Sequence, residues 1–132
     1  MTMTTPLFYL ALVAAFTGLL WVPYVLDRFA VRGIPDTVGY PDSPKAQSRW
    51  AQRLMKAHAN AVENLVVFAT LVLVAQIVGI TVGAVATAAM VYFWARVVHA
   101  VSYAFGWPWI RTLAFTAGFF AQAVVAWLIL VR

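Results

Sequence analysis

The chain has 132 residues, a formal net charge of +5 and no cysteine, and 64% of it is apolar against 10% charged. About a quarter of the residues of a soluble protein are charged, so this composition indicates an integral membrane protein and excludes an ordinary soluble domain. The absence of cysteine excludes disulfides, thiolate metal sites and a cysteine nucleophile. The basic excess does not indicate a nucleic-acid partner, because most of it lies in one connection between apolar segments.

Four apolar runs are each long enough to cross a bilayer as a helix, and they lie at about 5–26, 59–80, 82–105 and 109–131. The second helix is predicted to begin before the membrane, so its span is about 46–80. The first has no basic segment before it and no clear small-residue cleavage site, so we interpret it as a retained span. Together the four segments predict an all-α, four-helix membrane bundle that forms a single domain over residues 1–132.

The connection at about 27–45 is rich in Gly, Pro and Asp and is predicted to be an irregular loop. Ser43 followed by Pro44 reads as the start of the second helix. Six of the nine basic residues lie between the apolar run that ends at Leu26 and the run that begins at about Ala59, which predicts that this connection is cytoplasmic and that both termini are outside. Arg111 then falls on the cytoplasmic side, and Arg132 on the opposite side.

Polar residues interrupt two of the spans at helical spacing. At about 100° per residue, one stripe of the second helix, here called the polar stripe, contains Arg49, Arg53, Lys56, Asn60 and Glu63. The third helix places Tyr92, Arg96, His99 and Tyr103 on one face. An ionisable group facing lipid costs at least about 2.5 kcal/mol, so both faces are expected to line a common space, with Arg111 near its rim.

Several cations, one carboxylate and one amide suit a small zwitterion that carries more than one carboxylate and an amine. Glutathione fits that description: the cations would hold its carboxylates, and Glu63 with Asn60 would take its ammonium group. A nearby cation or hydroxyl, from Arg96, Arg111 or Tyr103, would raise the thiolate fraction of its thiol.

Two motifs carry a resemblance to a known family. KAHANAVENLVVF, residues 56–68, resembles the second-helix motif of the MAPEG family, the membrane-associated proteins in eicosanoid and glutathione metabolism. In it Lys56 takes the place of an arginine, whereas His58, Asn60, Glu63 and Asn64 match directly. ARVVHAVSYAFG, residues 95–106, is similar to the third-helix motif through Arg96, His99 and Tyr103.

The resemblance implies a homotrimer that binds glutathione between neighbouring subunits from the cytoplasmic side. It implies glutathione contacts at Lys56, Asn60 and Glu63, completed by Arg96 and Tyr103, with Arg111 as the residue that stabilises the thiolate. Arg53 continues the polar stripe and His99 shares the face of Arg96, so both are further binding candidates. No metal site is predicted.

The expected activity is that of a glutathione transferase or peroxidase acting on hydrophobic electrophiles from the lipid, in a bacterial inner membrane. Two departures from the motifs bear on activity. Lys56 lacks the bidentate fork of an arginine, and Phe115 stands where several relatives carry a further tyrosine.

Three alternatives stay open at this point. The chain could be a non-catalytic scaffold in which Glu63 and Arg96 form a buried ion pair. It could hold haem or a quinone, with His58 and His99 as the candidate axial ligands. It could also be a small transporter, although internal repeats and broken spans are absent from the sequence. His58 itself is expected to be structural, bonding a carbonyl of a neighbouring helix or loop.

Overall fold

The computed structural model describes residues 1–131, and that part of the chain is built from α-helices without strands. The helices are α1 (Thr5–Leu19), α2 (Trp21–Val38), α3 (Arg49–Ile77), α4 (Gly83–Phe105) and α5 (Pro108–Leu130). Four helical units are long and apolar enough to cross a membrane, with α1 and α2 together forming the unit Thr5–Val38. The predicted all-α bundle of four membrane helices is therefore confirmed. Arg132 lies outside the described residues.

The junction of α1 and α2 follows from a proline. Pro23 has no N–H group to donate to the carbonyl four residues earlier, which belongs to Leu19, where α1 ends. Leu20 keeps right-handed helical backbone angles, and its N–H donates to the Thr17 carbonyl at 3.3 Å. The first span is thus a nearly continuous rod with one weakened turn.

The prediction of an irregular loop at residues 27–45 is wrong for the first part of that range, because α2 extends to Val38. Gly33 adopts a left-handed φ of 77°, which interrupts the helix at that residue. Pro35 lies in the first turn after this interruption. The N–H group that a proline lacks would not bond to a helix carbonyl at this position, so the proline is tolerated. The glycine and the proline therefore break the helix locally instead of dissolving it.

The predicted start of the second long helix at Ser43 is also wrong, because α3 begins at Arg49 with Ser48 at the N-cap position. Ser48 does not cap the helix with its own side chain. Its hydroxyl donates to Asp27 Oδ1 at 2.6 Å, and its backbone N–H donates to Asp27 Oδ2 at 3.1 Å. The buried carboxylate of α2 thereby fixes the point at which α3 starts.

Glycines with left-handed backbone close the other two helix ends. At the end of α4, Gly106 has φ 76°, Gly106 N donates to Tyr103 O and Trp107 N donates to Ser102 O, which is a Schellman motif. Gly79 makes the same arrangement after α3, so that helix ends at Ile77 and not near residue 80 as expected. Both connections are short, and consecutive helices are antiparallel.

Helix α4 lies at the centre of the bundle and packs against α1, α3 and α5. Half of its most apolar window is buried, against 17–22% for the other spans. The main core is buried between these four helices, at Val13, Phe68, Val72, Ala75, Val85, Ala88, Ala89, Tyr92, Phe93, Ala121 and Val125. The start of α3, the end of α4 and the start of α5 lie together at one end of the bundle, which carries most of the predicted site residues.

Candidate functional site

Arg96 is the centre of the polar cluster on α4, with only 2% of its surface exposed. Its NH2 nitrogen donates to Asn60 Oδ1 on α3 at 2.7 Å. The same nitrogen lies 3.3 Å from His99 Nδ1. An arginine can only donate, so this contact requires His99 to accept at Nδ1 and to carry its proton on Nε2. The structure therefore brings together Asn60, Arg96 and His99, as the spacing predicted.

Arg96 also has a polar atom without a partner. Its Nε is buried and has no hydrogen-bond partner in the structure. Within residues 1–131, no carboxylate lies within ion-pair distance of this guanidinium or of any other basic group. The buried Glu63–Arg96 ion pair considered for a scaffold is consequently absent from residues 1–131, and the positive charge of Arg96 is uncompensated within this part of the chain.

Two amides link this cluster to α5. Asn64 Nδ2 donates to the Asn60 carbonyl at 2.9 Å and lies 3.3 Å from Asn60 Oδ1. From α5, Gln122 Nε2 donates to the Asn64 carbonyl at 3.1 Å. Gln122 was not a predicted site residue. The only signal in the sequence was one amide side chain in an otherwise apolar span. A polar chain thus runs from α5 through α3 to Arg96.

Tyr103 and Arg111 form a second group at the same end of the bundle. The Arg111 guanidinium carbon lies 4.8 Å from the centroid of the Tyr103 ring, a cation–π contact that joins the end of α4 to the start of α5. The His99 ring lies 5.5 Å from the Tyr103 ring and 6.2 Å from the Phe115 ring. His99 is therefore the link between the Arg96 cluster and the Tyr103–Arg111 pair.

Arg53 caps the C-terminus of α4. Its Nε donates to the Ala104 carbonyl at 2.9 Å, where the helix dipole favours a cation. A Cβ atom at Gly106 would lie 3.4 Å from the Arg53 guanidinium carbon, which is an ordinary contact, so the glycine is needed for its backbone angle. Arg53 thereby ties the polar stripe of α3 to the turn that precedes Arg111.

Lys56 and Glu63 differ from the residues above because both side chains are exposed on the surface of the chain. Neither makes a side-chain hydrogen bond to the described residues. They lie on the outer face of α3, together with apolar side chains such as Val62 and Val66. Within the single chain they therefore lie apart from the Arg96 cluster.

His58 points away from the polar stripe and bonds to α2. Its Nδ1 lies 2.8 Å from the Tyr24 hydroxyl. The expectation of a structural contact with a neighbouring helix is confirmed, although the partner is a hydroxyl and not a carbonyl. His58 faces α2 whereas His99 faces Arg96 and α5, so the two histidines have separate surroundings and do not form the pair of axial ligands considered for haem. The described residues also contain no group of three or more His, Cys, Asp or Glu that could hold a metal ion.

Comparison with known proteins gives one result. The family model of the MAPEG family matches residues 5–131, which is almost the whole chain. Neither the curated proteins nor the solved structures gave a match. A match of this extent, together with the two polar motifs on α3 and α4 and the four membrane helices, confirms the resemblance seen in the sequence. The chain belongs to the MAPEG family of membrane proteins, whose members are associated with eicosanoid and glutathione metabolism.

Proposed function

We propose that the protein is a glutathione-dependent transferase or peroxidase that acts on hydrophobic electrophiles dissolved in the membrane. Glutathione would be its bound co-substrate. The proposed binding residues are the predicted ones, namely Lys56, Asn60, Glu63, Arg96, Tyr103, Arg53 and His99. Arg111 and Tyr103 are the proposed catalytic pair.

The observation that carries this proposal is the uncompensated buried charge of Arg96. A buried cation without a counter-ion destabilises the folded protein by several kcal/mol. Ionisable residues inside membrane helices usually belong to a functional site. Arg96 has one buried nitrogen still without an acceptor. A ligand carboxylate or thiolate would supply both the missing charge and the missing acceptor.

The second pair of residues suits the chemistry of a thiol. Bound glutathione would supply a thiolate that forms a bond to an electrophilic carbon or to a peroxide oxygen, with departure of the leaving group. Arg111 would favour the negative charge on sulfur, and the Tyr103 hydroxyl would donate a hydrogen bond to it. The cation–π contact holds Arg111 over Tyr103, so the two groups are positioned together before a ligand binds.

The exposed charges of α3 support a homotrimer. Lys56 and Glu63 lie on an unpartnered face of a helix that crosses the membrane, where contact with lipid is unfavourable. A neighbouring subunit would cover this face and bring its own Arg96 and Tyr103 residues near Lys56 and Glu63. A site between two subunits would thereby bring Lys56 and Glu63 of one subunit close to the Arg96 cluster of the next. Both termini would lie outside, with the link between α2 and α3 in the cytoplasm of a bacterium.

A non-catalytic scaffold is the second candidate, and a specific observation favours it. Both N–H groups on NH2 of Arg96 have acceptors within the subunit, at Asn60 and His99. The remaining polar chain through Asn64 and Gln122 is likewise bonded internally. Such a cluster could fix the register of the helices without binding a ligand.

The test is calorimetric titration of glutathione into the detergent-purified protein and into the variants Glu63→Gln and Arg96→Ala. We expect binding to weaken by about 1.5–3 kcal/mol in each variant, or roughly tenfold to 150-fold, because each loses a charge-assisted hydrogen bond. Asp42→Asn is the matched control for Glu63→Gln, since it removes an exposed carboxylate from the link between α2 and α3. Its affinity should equal that of the parent.

The mass of each purified oligomer is measured alongside. An intact trimer with weakened binding places glutathione on these residues, and turnover is then sought with an activated aryl halide and an organic hydroperoxide. A parent that gives no heat at millimolar glutathione, with variants that lose the trimer, would instead support the scaffold.

A further inference from the structure

Aromatic rings of α4 and α5 lead from Arg111 towards the middle of the bundle. The Arg111 guanidinium lies over the Tyr103 ring, and the His99 ring lies 5.5 Å from that of Tyr103. The Phe115 ring follows at 6.2 Å from the His99 ring. Phe115 is 38% exposed and lies one helical turn after Arg111 on α5. An electrophile that comes from the lipid to a sulfur atom beside Arg111 and Tyr103 would therefore meet the Phe115 ring.

Free hydroxyl groups are scarce around these rings. The end of α4 and the first half of α5 carry four hydroxyls, on Ser102, Tyr103, Thr112 and Thr116. The Ser102 hydroxyl donates to the Val98 carbonyl at 2.7 Å. Those of Thr112 and Thr116 donate to the carbonyls four residues earlier in α5, at 2.8 and 2.9 Å. A hydroxyl has one proton to donate, so within residues 1–131 Tyr103 holds the only one of these four that is still available.

The other donors of the proposed site are already assigned. Arg111 favours the charge on sulfur, Tyr103 donates to the same atom, and Lys56 holds a carboxylate of glutathione. His99 accepts from Arg96 at Nδ1 and so keeps its proton on Nε2, as a neutral imidazole that is a weaker acid than a phenol. Residues 1–131 therefore supply no second acid to an electrophile that lies over the Phe115 ring.

The two reactions open to a glutathione thiolate differ in their need for an acid. In substitution, the sulfur forms a bond to carbon, the carbon–halogen bond breaks, and halide departs with the electron pair without needing a proton. In hydroperoxide reduction, the sulfur bonds to the terminal oxygen, the O–O bond breaks, and the electron pair departs on an alkoxide. The sulfur is oxidised to a sulfenic acid, which a second glutathione converts to the disulfide and water. The strongly basic alkoxide must take up a proton to leave as an alcohol, so this reaction gains most from a positioned acid.

We propose that Phe115 determines the reaction that the site performs, favouring substitution at carbon over reduction of hydroperoxides. Its phenyl ring offers an apolar surface to the electrophile and no proton to a departing alkoxide. The single free hydroxyl, on Tyr103, is occupied by the sulfur. This inference rests on the proposed function and narrows it to transfer of glutathione to electrophilic carbon.

The test compares an activated aryl halide with an organic hydroperoxide in the full detergent-purified protein at saturating glutathione. Each rate is divided by that of glutathione alone at the same pH, which removes the intrinsic reactivity of the electrophile. In the parent, the acceleration should be about a hundredfold larger for the aryl halide, because a positioned acid contributes roughly 100- to 10,000-fold. In Phe115→Tyr, the ratio of hydroperoxide to aryl halide acceleration should rise about tenfold, because the new hydroxyl can protonate the alkoxide.

Phe119→Tyr is the matched control, since it adds the same hydroxyl one turn further along α5, on a ring that is 54% exposed. Its ratio should equal that of the parent. The ratio of the parent tests the proposal by itself if Phe115→Tyr does not fold. The proposal is overturned if the parent accelerates both reactions alike, if Phe115→Tyr leaves the ratio unchanged, or if Phe119→Tyr raises it as much.

Glutathione calorimetry and the mass of the oligomer are measured for every variant, which separates this inference from the proposed function. A parent that binds no glutathione and accelerates neither reaction overturns both. A parent that binds glutathione and accelerates both reactions alike keeps the proposed function and overturns only the role of Phe115.

Discussion

The two halves of the bundle are held together in different ways. In the half around Phe68, Val72 and Val125, apolar side chains fill the space between α1, α3, α4 and α5. In the half around Arg96, α3, α4 and α5 meet through amides, a histidine and an arginine, beside a smaller apolar cluster that includes Leu54 and Ala100. We call these the apolar half and the polar half. Because apolar clusters supply close packing in both halves, the buried charge of the polar half is not needed for packing and points to a role beyond folding.

Tyr92 marks the border between the halves. Its ring packs against Phe68 in the apolar half, whereas its buried hydroxyl has no hydrogen-bond partner. One turn further along α4 lies Arg96, whose Nε is also unpaired. Unpaired buried polar atoms are expensive, so their concentration at this border and beyond it indicates that stability was not the only requirement on α4.

The largest expected effect comes from Phe68→Ala, which opens a cavity in the apolar half. Phe68 is 3% exposed, and the substitution should lower the free energy of unfolding by about 3 kcal/mol. The expected loss lies at the lower end of the usual range for Phe→Ala, because lipid tails surround an exposed phenyl ring almost as favourably as the protein core does. Unfolding by SDS titration measures the change, and glutathione affinity of the folded protein should stay as in the parent.

Phe119→Ala is the matched control, because Phe119 is 54% exposed on the outside of α5. It should leave the free energy of unfolding nearly unchanged. Equal losses in the two variants would contradict the division of the bundle, since stability would then not depend on packing in the apolar half.

Much of this division could be predicted from the sequence. The four apolar segments locate the membrane helices, and the spacing of Asn60 on one helix and Arg96 with His99 on the next places them in contact. Helical periodicity shows which residues share a face, so the convergence of two such faces follows from antiparallel topology.

Helical periodicity cannot predict a contact that depends on the conformation of a single side chain or on the backbone angles of a single residue. Composition does not predict the helical stretch after Asp27, because Gly33 and Pro35 usually end a helix, whereas here they only interrupt it. The start of α3 was misplaced because its N-cap hydroxyl bonds to Asp27, a residue distant in sequence. Gln122 was missed because a lone amide in an apolar span has no periodic partner to identify its contact with Asn64.

An intermediate effect is expected for Gln122→Leu, which cuts the link between α5 and the polar half. Loss of its bond to the Asn64 carbonyl should lower the free energy of unfolding by about 1 kcal/mol. The affinity for glutathione should also fall, because Asn64 Nδ2 donates to Asn60 Oδ1 and so helps to hold the acceptor of Arg96. SDS titration and glutathione calorimetry measure the two changes.

Gln76→Leu provides the comparison at the other end of the bundle. Gln76 lies on the same helix as Asn64 and bonds to the Thr4 hydroxyl at 3.1 Å. The variant should lose a similar amount of stability and keep the parental affinity for glutathione. If both glutamine variants weaken glutathione binding alike, the polar chain does not position Asn60.

The smallest effect is expected for Lys56→Arg, which restores the residue of the family motif. Lys56 is exposed on α3, so the free energy of unfolding should not change. An arginine could grip a carboxylate with two parallel N–H bonds, and we expect glutathione to bind about twofold more tightly, a gain of about 0.5 kcal/mol. Lys45→Arg makes the same exchange in the link before α3 and should have no effect on glutathione. A Lys56→Arg variant with parental or weaker affinity would mean that this position holds no carboxylate, and the binding site would then begin at Asn60.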